Sequence, residues 1–438
     1  LDSSDTDTNT SGAGIGTGYG SQSNADITIE GSTVKAVGVR GAAIGSGSEE
    51  GISNPPTGEP NTFKNIIHIT DSDVTASSGE SAAIGSGSYS TNDPEIHING
   101  GKIEASNYSG SGIGSGKSAK GNTDIYIAGS DVTAKASLGT GIGSGSYSSG
   151  NTTIDISGGT VKATGGGNGY EGSAGIGAGR SSTGNTSITL RDSATVEAFG
   201  GGTSSSYGGG GAGIGSGQSA NGKTDILIKG AKEVTAKGGS SAAGIGSGYE
   251  AGNSANGPVG STTINIEGGE ITAKGGNSGG AGIGAGMNAG TTTINIKDNA
   301  HIASAEGGEH GGAGIGSGLN SGKSIIKILK GTIGTVIGGN FSAGIGGGQS
   351  SESEVHISGG TIDKVSGGTH GAGIGAGYNG SATVNISGDA ELKDVTGGGN
   401  AAGIGSGHGS GKVDVVIDGG TIKATGGSDA AGIGSGHN

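Results

Sequence analysis

The sequence has no cysteine, few aromatic residues and no long apolar run. Without cysteine, neither a disulfide nor a thiolate site can form. Aromatics make up 3% of the chain, too few for a large globular core. Without an extended run of apolar residues, no membrane-spanning helix is expected. Basic residues are also scarce. Twenty-three Lys and Arg stand against 37 Asp and Glu, for a net charge of −14. That balance disfavours nucleic acid as a partner, because phosphates need basic side chains. No stretch shows the helical period of 3.6 residues.

What the chain has in abundance is glycine, 110 of 438 residues. Such a content often signals disorder or a fibrous protein. Here the glycines are phased with aliphatic residues, which argues for order. The phrase Ala-Gly-Ile-Gly-Ser-Gly recurs in fourteen near-copies, with isoleucines running from Ile15 to Ile433 at intervals of 29 to 40 residues. A sustained period in this range marks a solenoid, which grows by adding coils rather than domains. Positions within a coil are counted below from the isoleucine of its phrase.

The stretches between phrases repeat as well. Each opens on an alternating segment such as Ala25-Asp-Ile-Thr-Ile-Glu30, turns at Gly-Gly or Gly-Ser, and continues in a shorter segment such as Thr160-Val-Lys-Ala-Thr164. Alternation with period 2 marks strands with one buried face. The inward pairs line up from Ile27/Ile29 through Ile154/Ile156 to Val415/Ile417, and the second segment adds Val34, Val161 and their equivalents. With the phrase as a third strand, this predicts an all-β fold: a single three-faced parallel β-helix of about 14 coils over residues 13–438. Residues 1–12 are expected to form a frayed N-terminal segment. Insertions fall at residues 48–66, 164–173, 199–211 and 249–263, beside the phrase, where binding loops of solenoids lie.

Three units are nearly the same: Gly-Gly-Thr-Val-Lys-Ala-Thr-Gly-Gly (158–166), Gly-Gly-Glu-Ile-Thr-Ala-Lys-Gly-Gly (268–276) and Gly-Gly-Thr-Ile-Lys-Ala-Thr-Gly-Gly (419–427). Each leads into Ala-Gly-Ile-Gly-(Ser/Ala)-Gly, and together they resemble repeats of large surface proteins of gut Firmicutes. The resemblance covers nearly the whole chain. It implies a right-handed parallel β-helix on a secreted or wall-attached protein, of a kind labelled adhesin-like or carbohydrate-binding. The chain is accordingly expected to be a piece of a larger extracellular protein.

If the phrase isoleucine points inward, positions −1, +1 and +3 should point out. Positions +1 and +3 are glycine in all fourteen copies and −1 in twelve. One face of the rod is then expected to be almost bare of side chains, through Gly177, Gly215 and Gly246 among others. Two readings stay open. Only glycine tolerates the backbone geometry there, or a ligand or another rod approaches closely. Eight of the nine tyrosines fall in the corners bordering the strip. Tyr108, Tyr147, Tyr170, Tyr207 and Tyr249 are therefore the candidate edges of a trough for an extended polysaccharide or host-surface glycan, with the glycines as its floor.

Other chemistries are less well served. The Gly-x-Gly-x-Gly phrase is not a dinucleotide fingerprint, because no helix follows and it recurs along the chain. Polysaccharide-degrading β-helices need clustered Asp, Arg or Lys on one face. In the outward column of the first strand, Asp155 has no carboxylate neighbour; His68 and His97 are expected to be adjacent there. Asp71/Asp73 and Asp124/Asp131 are isolated pairs, so neither a metal nor any other cofactor is expected. The sequence thus points to a non-catalytic extracellular module that binds glycan. The alternatives are a structural spacer or self-assembling fibre packed through its glycine face, and a polysaccharide-degrading enzyme.

Overall fold

The computed structural model describes residues 2–3, 11–21, 23–51, 63–168, 171–202, 208–253 and 260–437. Among them every regular element is a β-strand, and all strand pairings are parallel. The first and second strands of each coil, beginning with Ala25–Glu30 and Thr33–Gly38, belong to one 23-stranded sheet. In four coils they run on as single elements: Thr262–Lys274, Thr292–Glu306, Ser381–Thr396 and Val413–Thr425. The phrases form a separate sheet of fourteen two-residue Ile-Gly strands. The expected parallel β-helix is therefore present, with first strands in thirteen coils and fourteen rungs of the phrase. Of the N-terminal segment expected to fray, Asp2–Ser3 pairs in parallel with Lys35 and Ala36, and residues 4–10 lie outside the described set.

Register explains why the interior is continuous. Ile125 stands on Ile96 and Ile154 on Ile125, and Ile127 likewise joins Ile98 to Ile156. A slip of one residue would turn each column to solvent. These six isoleucines, with Val132, Val161 and the phrase isoleucines from Ile44 to Ile404, are fully or almost fully buried in one core. Each contributes about 1.5–3 kcal/mol through burial.

A buried row of hydroxyls lies beside this apolar core. Thr123, Thr152, Thr186, Thr224, Thr262 and Thr292 stack coil on coil, followed by Ser324 and Ser353. At the start of the first strand a second ladder forms. The Asp93 carboxylate accepts the Asn122 N–H at 2.7 Å, the Asn122 side chain that of Asn151 at 3.0 Å, and the Asn151 side chain that of Asn185 at 2.9 Å.

The third strand differs from the expected flat face. In thirteen copies the N–H of position −2 donates to the carbonyl of position +2, as from Ala174 to Ala178 at 3.2 Å and Ala212 to Ser216 at 2.9 Å. In the remaining copy the Thr140 hydroxyl donates to the Ser144 carbonyl at 2.9 Å. The phrase is thus a five-residue loop folded inward, with isoleucine at its buried tip. The two limbs meet across its mouth. The N–H of position +4 donates to the carbonyl of position −4 one coil earlier, as from Gln218 to Gly172 and Tyr378 to Phe341, both at 2.8 Å.

Gly177, Gly215 and Gly246 are consequently buried and form no open floor. Position +1 has φ between 132° and 138° in all fourteen copies. A Cβ on Gly215 would stand 1.9 Å from the Gly246 carbonyl oxygen, and one on Gly177 equally close to that of Gly215. A side chain at +1 would point along the rod axis into the next coil, not outward. The geometric reading of the glycines is the one the structure bears out.

Two further regularities support the loop. Buried serines at +2 accept the N–H of position +3 one coil on: Ser46 from Gly87, Ser115 from Gly145 and Ser144 from Gly179, each at 2.9 Å. Position +5 is left-handed even without glycine, at Tyr89, Tyr147, Ser181, Ser219 and Asn288 for example. Its N–H donates to the +4 carbonyl of the next coil, as from Ser181 to Gln218 at 2.8 Å.

Gly215→Ala should cost more than about 3 kcal/mol, because strain and overlap fall on fixed backbone. Ser144→Ala, which leaves one amide without its acceptor, should cost about 1–3 kcal/mol. Thermal unfolding followed by circular dichroism orders the two variants, and equal costs would refute the stacking argument. Partial burial raises the pKa of Asp93, with Asp124 adding to the shift and the Asn122 amide opposing it. The raised value means that stability is fully present below the ordinary carboxylate range and is lost as pH rises and Asp93 ionises. Asp93→Asn, which extends the asparagine ladder, should raise the melting temperature at pH 7, with the gain vanishing in strong acid.

Candidate ligand-binding surfaces

Of the candidate tyrosines, Tyr108, Tyr147 and Tyr249 do not assemble into a continuous edge. Tyr108 and Tyr147 are 61% and 44% exposed, and Tyr249 is half-buried. No ring contact joins these three to one another among the described residues. Tyr147 lies under the Arg180 guanidinium, 5.1 Å from ring centroid to Cζ. Burial, reinforced by Glu250, raises the pKa of Tyr249. Tyr170 and Tyr207 lie outside the described residues.

A cleft does open among the described residues. It holds about 310 Å³ and runs along the ends of three successive second strands. The backbone of Gly165–Gly167 and Gly200–Gly202 forms most of its wall, with Ser137, Thr164, Phe199 and Lys237 contributing side chains. Register places Thr164, Phe199 and Lys237 in one outward row, because Phe199 pairs with Thr164 on one side and Lys237 on the other. Phe199 is half-buried, and the Lys162 ammonium sits 5.6 Å from its ring centroid. Lys162 is itself held by Glu197 at 2.8 Å. The cleft therefore offers an aromatic face, low walls and one cationic donor, Lys237, at its rim. Tyr170 follows cleft residue Gly167 by three positions, and Tyr207 follows Gly202 by five. Phe199 belongs to no motif; its signal in the sequence is its place at the end of a second strand, just before a run of glycines.

The outward column of the first strand behaves as its order suggests. His68 stacks on His97 with centroids 4.9 Å apart, and Tyr126 stacks on His97 at the same distance. His97 also meets Glu95 at 2.9 Å, and this contact lowers the Glu95 pKa, with Lys64 assisting. Asp155 is held by Arg191, with Nε 2.9 Å from Oδ1 and Nη2 3.1 Å from Oδ2. A second aromatic group sits at positions −4 and +4 near the C-terminal end, where Phe341 and Tyr378 pack against His370, and His408 against Tyr378. Among the described residues no group of three or more His, Cys, Asp or Glu is placed to hold a metal ion. Nor, among them, is any helix long and apolar enough to cross a membrane.

Comparison with known families agrees with this geometry. The family model described as a Beta helix repeat matches residues 27–48, 67–88, 96–117, 154–180, 226–249, 264–287, 355–378 and 415–437. In fold, the chain is a β-helix repeat protein. Each match starts in a first strand and, like 67–88 and 154–180, runs through the second strand and the inward loop, so the repeat coincides with one coil. No curated protein and no solved structure matches the chain.

Tyr126 shares with Tyr249 a pKa raised mainly by burial, with Asp124 and Glu95 adding to it. In an alkaline absorbance titration, replacing both with Phe should remove the latest-ionising tyrosine component. An unchanged late component would show that neither phenol is shielded as described.

Proposed function

We propose that this β-helix repeat chain is a non-catalytic, extracellular module that binds glycan on a cell or host surface. The observation that carries the reading is the cleft at Phe199. An apolar ring flanked by bare backbone and rimmed by Lys237, Ser137 and Thr164 suits a sugar: the ring takes the apolar face of the pyranose, and the polar rim takes its hydroxyls. In sequence, Tyr170 and Tyr207 follow cleft residues Gly167 and Gly202 by three and five positions. Extracellular placement rests on the resemblance of the repeats to those of bacterial surface proteins.

One alternative loses support. Packing of rods through a glycine face needs exposed glycine, and those residues are buried inside the loop. In the outward first-strand column, Asp155 is clamped by Arg191 and is not a free carboxylate for hydrolysis or elimination. The test is retention of the native rod on immobilised plant, mucin and bacterial polysaccharides. Phe199→Ala should fold normally, because the ring is only half-buried, and should reduce retention about tenfold or more, as expected for loss of a stacking anchor. Retention unaffected by Phe199→Ala and by Tyr170→Ala/Tyr207→Ala would remove this site, and no retention on any glycan would remove the function.

A further inference from the structure

A larger cleft, of about 520 Å³, lies at the opposite edge of the second strands, where the chain turns from first strand to second. It spans four coils, from the one containing Asp298 to the one containing Asp389. At a rise of about 4.8 Å per coil these end coils are about 14 Å apart.

Corner length builds the cleft. Ile302 follows Ile296 by six positions and Leu392 follows Ile386 by six, whereas Ile333 follows Ile328 and Ile362 follows Ile357 by five. The extra residues appear as register shifts where the first and last of these coils pair with neighbours outside the cleft. Two protruding corners therefore wall off two short ones, whose Gly331 and Gly360 leave the floor low. Bulges of this kind re-aim side chains and gather beside binding sites.

The side chains in the cleft are ordered and largely free. Register places His301, Thr332, Thr361 and Glu391 in one outward row, one from each coil. Asp298 stands at one wall and Asp389 at the other. Elsewhere on the rod, Lys and carboxylates pair across coils, as Lys274 does with Glu306 and Lys393 with Asp363. In the cleft, Thr361 donates to Glu391 at 3.2 Å. Among the described residues Asp298, Asp389, His301 and Lys330 make no side-chain hydrogen bond or ion pair. A concave surface that withholds its charged groups from one another keeps them for something else.

We propose that this cleft is a second binding site, for a short amino-sugar segment lying along the rod axis. Free amines of the ligand meet Asp298 and Asp389 at the walls, and its hydroxyls meet the Thr332–Thr361 row between them. The carboxylates outnumber the one free lysine, which sets the preference for a cationic sugar over an acidic one. The site is separate from the Phe199 cleft and stands on different residues.

Calorimetric titration of the full chain with a glucosamine trisaccharide and with its N-acetylated counterpart tests the assignment. The free-amine sugar should bind in the millimolar range or tighter and the acetylated one should not. Asp298→Asn with Asp389→Asn should weaken binding about tenfold or more by removing two charge-assisted contacts. Asn is at home in the left-handed conformation that Asp298 adopts, with φ of 56°, so the melting temperature should hold. Phe199→Ala should leave this titration unchanged even where it abolishes retention on neutral glycans. Equal binding of both sugars, native-like binding by the double variant, or no binding of the free-amine sugar in the millimolar range would each overturn the proposal.

Discussion

Throughout this molecule, the carbonyl oxygen of one coil occupies the place where a side chain of its neighbour would stand. At position +1 of each phrase from Ile15 to Ile404, the next coil's backbone comes closer than any Cβ allows. The close approach lets the phrase fold inward and shut on itself, with its isoleucine driven between the two strand columns. Inter-coil amide bonds, serine hydroxyls and the limbs at −4 and +4 then have defined partners. Glycine, destabilising in an ordinary strand by roughly 0.5–1 kcal/mol relative to alanine, is here the condition for the fold rather than a tolerated weakness.

The parts of the fold that involve large side chains were open to reading in advance. Alternation in segments such as 154–156 and 264–266 reveals which face is buried, because isoleucine is excluded from water and its neighbours are not. The inward loop was hidden for the opposite reason. A glycine carries no side chain to declare a direction, so Ala-Gly-Ile-Gly-Ser-Gly reads equally well as a bare outer strand or a closed loop. The left-handed position +5 was hidden too, since Tyr147, Ser181 and Asn288 share no chemistry there, only a backbone conformation imposed by stacking.

The binding surfaces show a similar division. The tyrosines stood out by type, yet Tyr108, Tyr147 and Tyr249 are spread over separate coils. Phe199 gains its meaning from register, which sets it between Thr164 and Lys237. The cleft around Thr332 and Thr361 depends on corner length, a quantity obtained by counting between aliphatic anchors rather than by looking for motifs. The two clefts lie at opposite edges of the second strands, so the flat sheet between them is left to exposed ion pairs such as Lys162–Glu197, each worth little for stability.

The self-closing loop also bears on how such a chain can change. Because −2 bonds to +2 within each phrase, the two limbs leave the interior at nearly one point, and whatever length of chain hangs outside that point is invisible to the core. Coils of 29 and of 40 residues therefore stack in the same register. Each coil is a fixed socket with an independent outer loop, so recognition at one level of the rod can drift, lengthen or be lost while the levels above and below keep theirs.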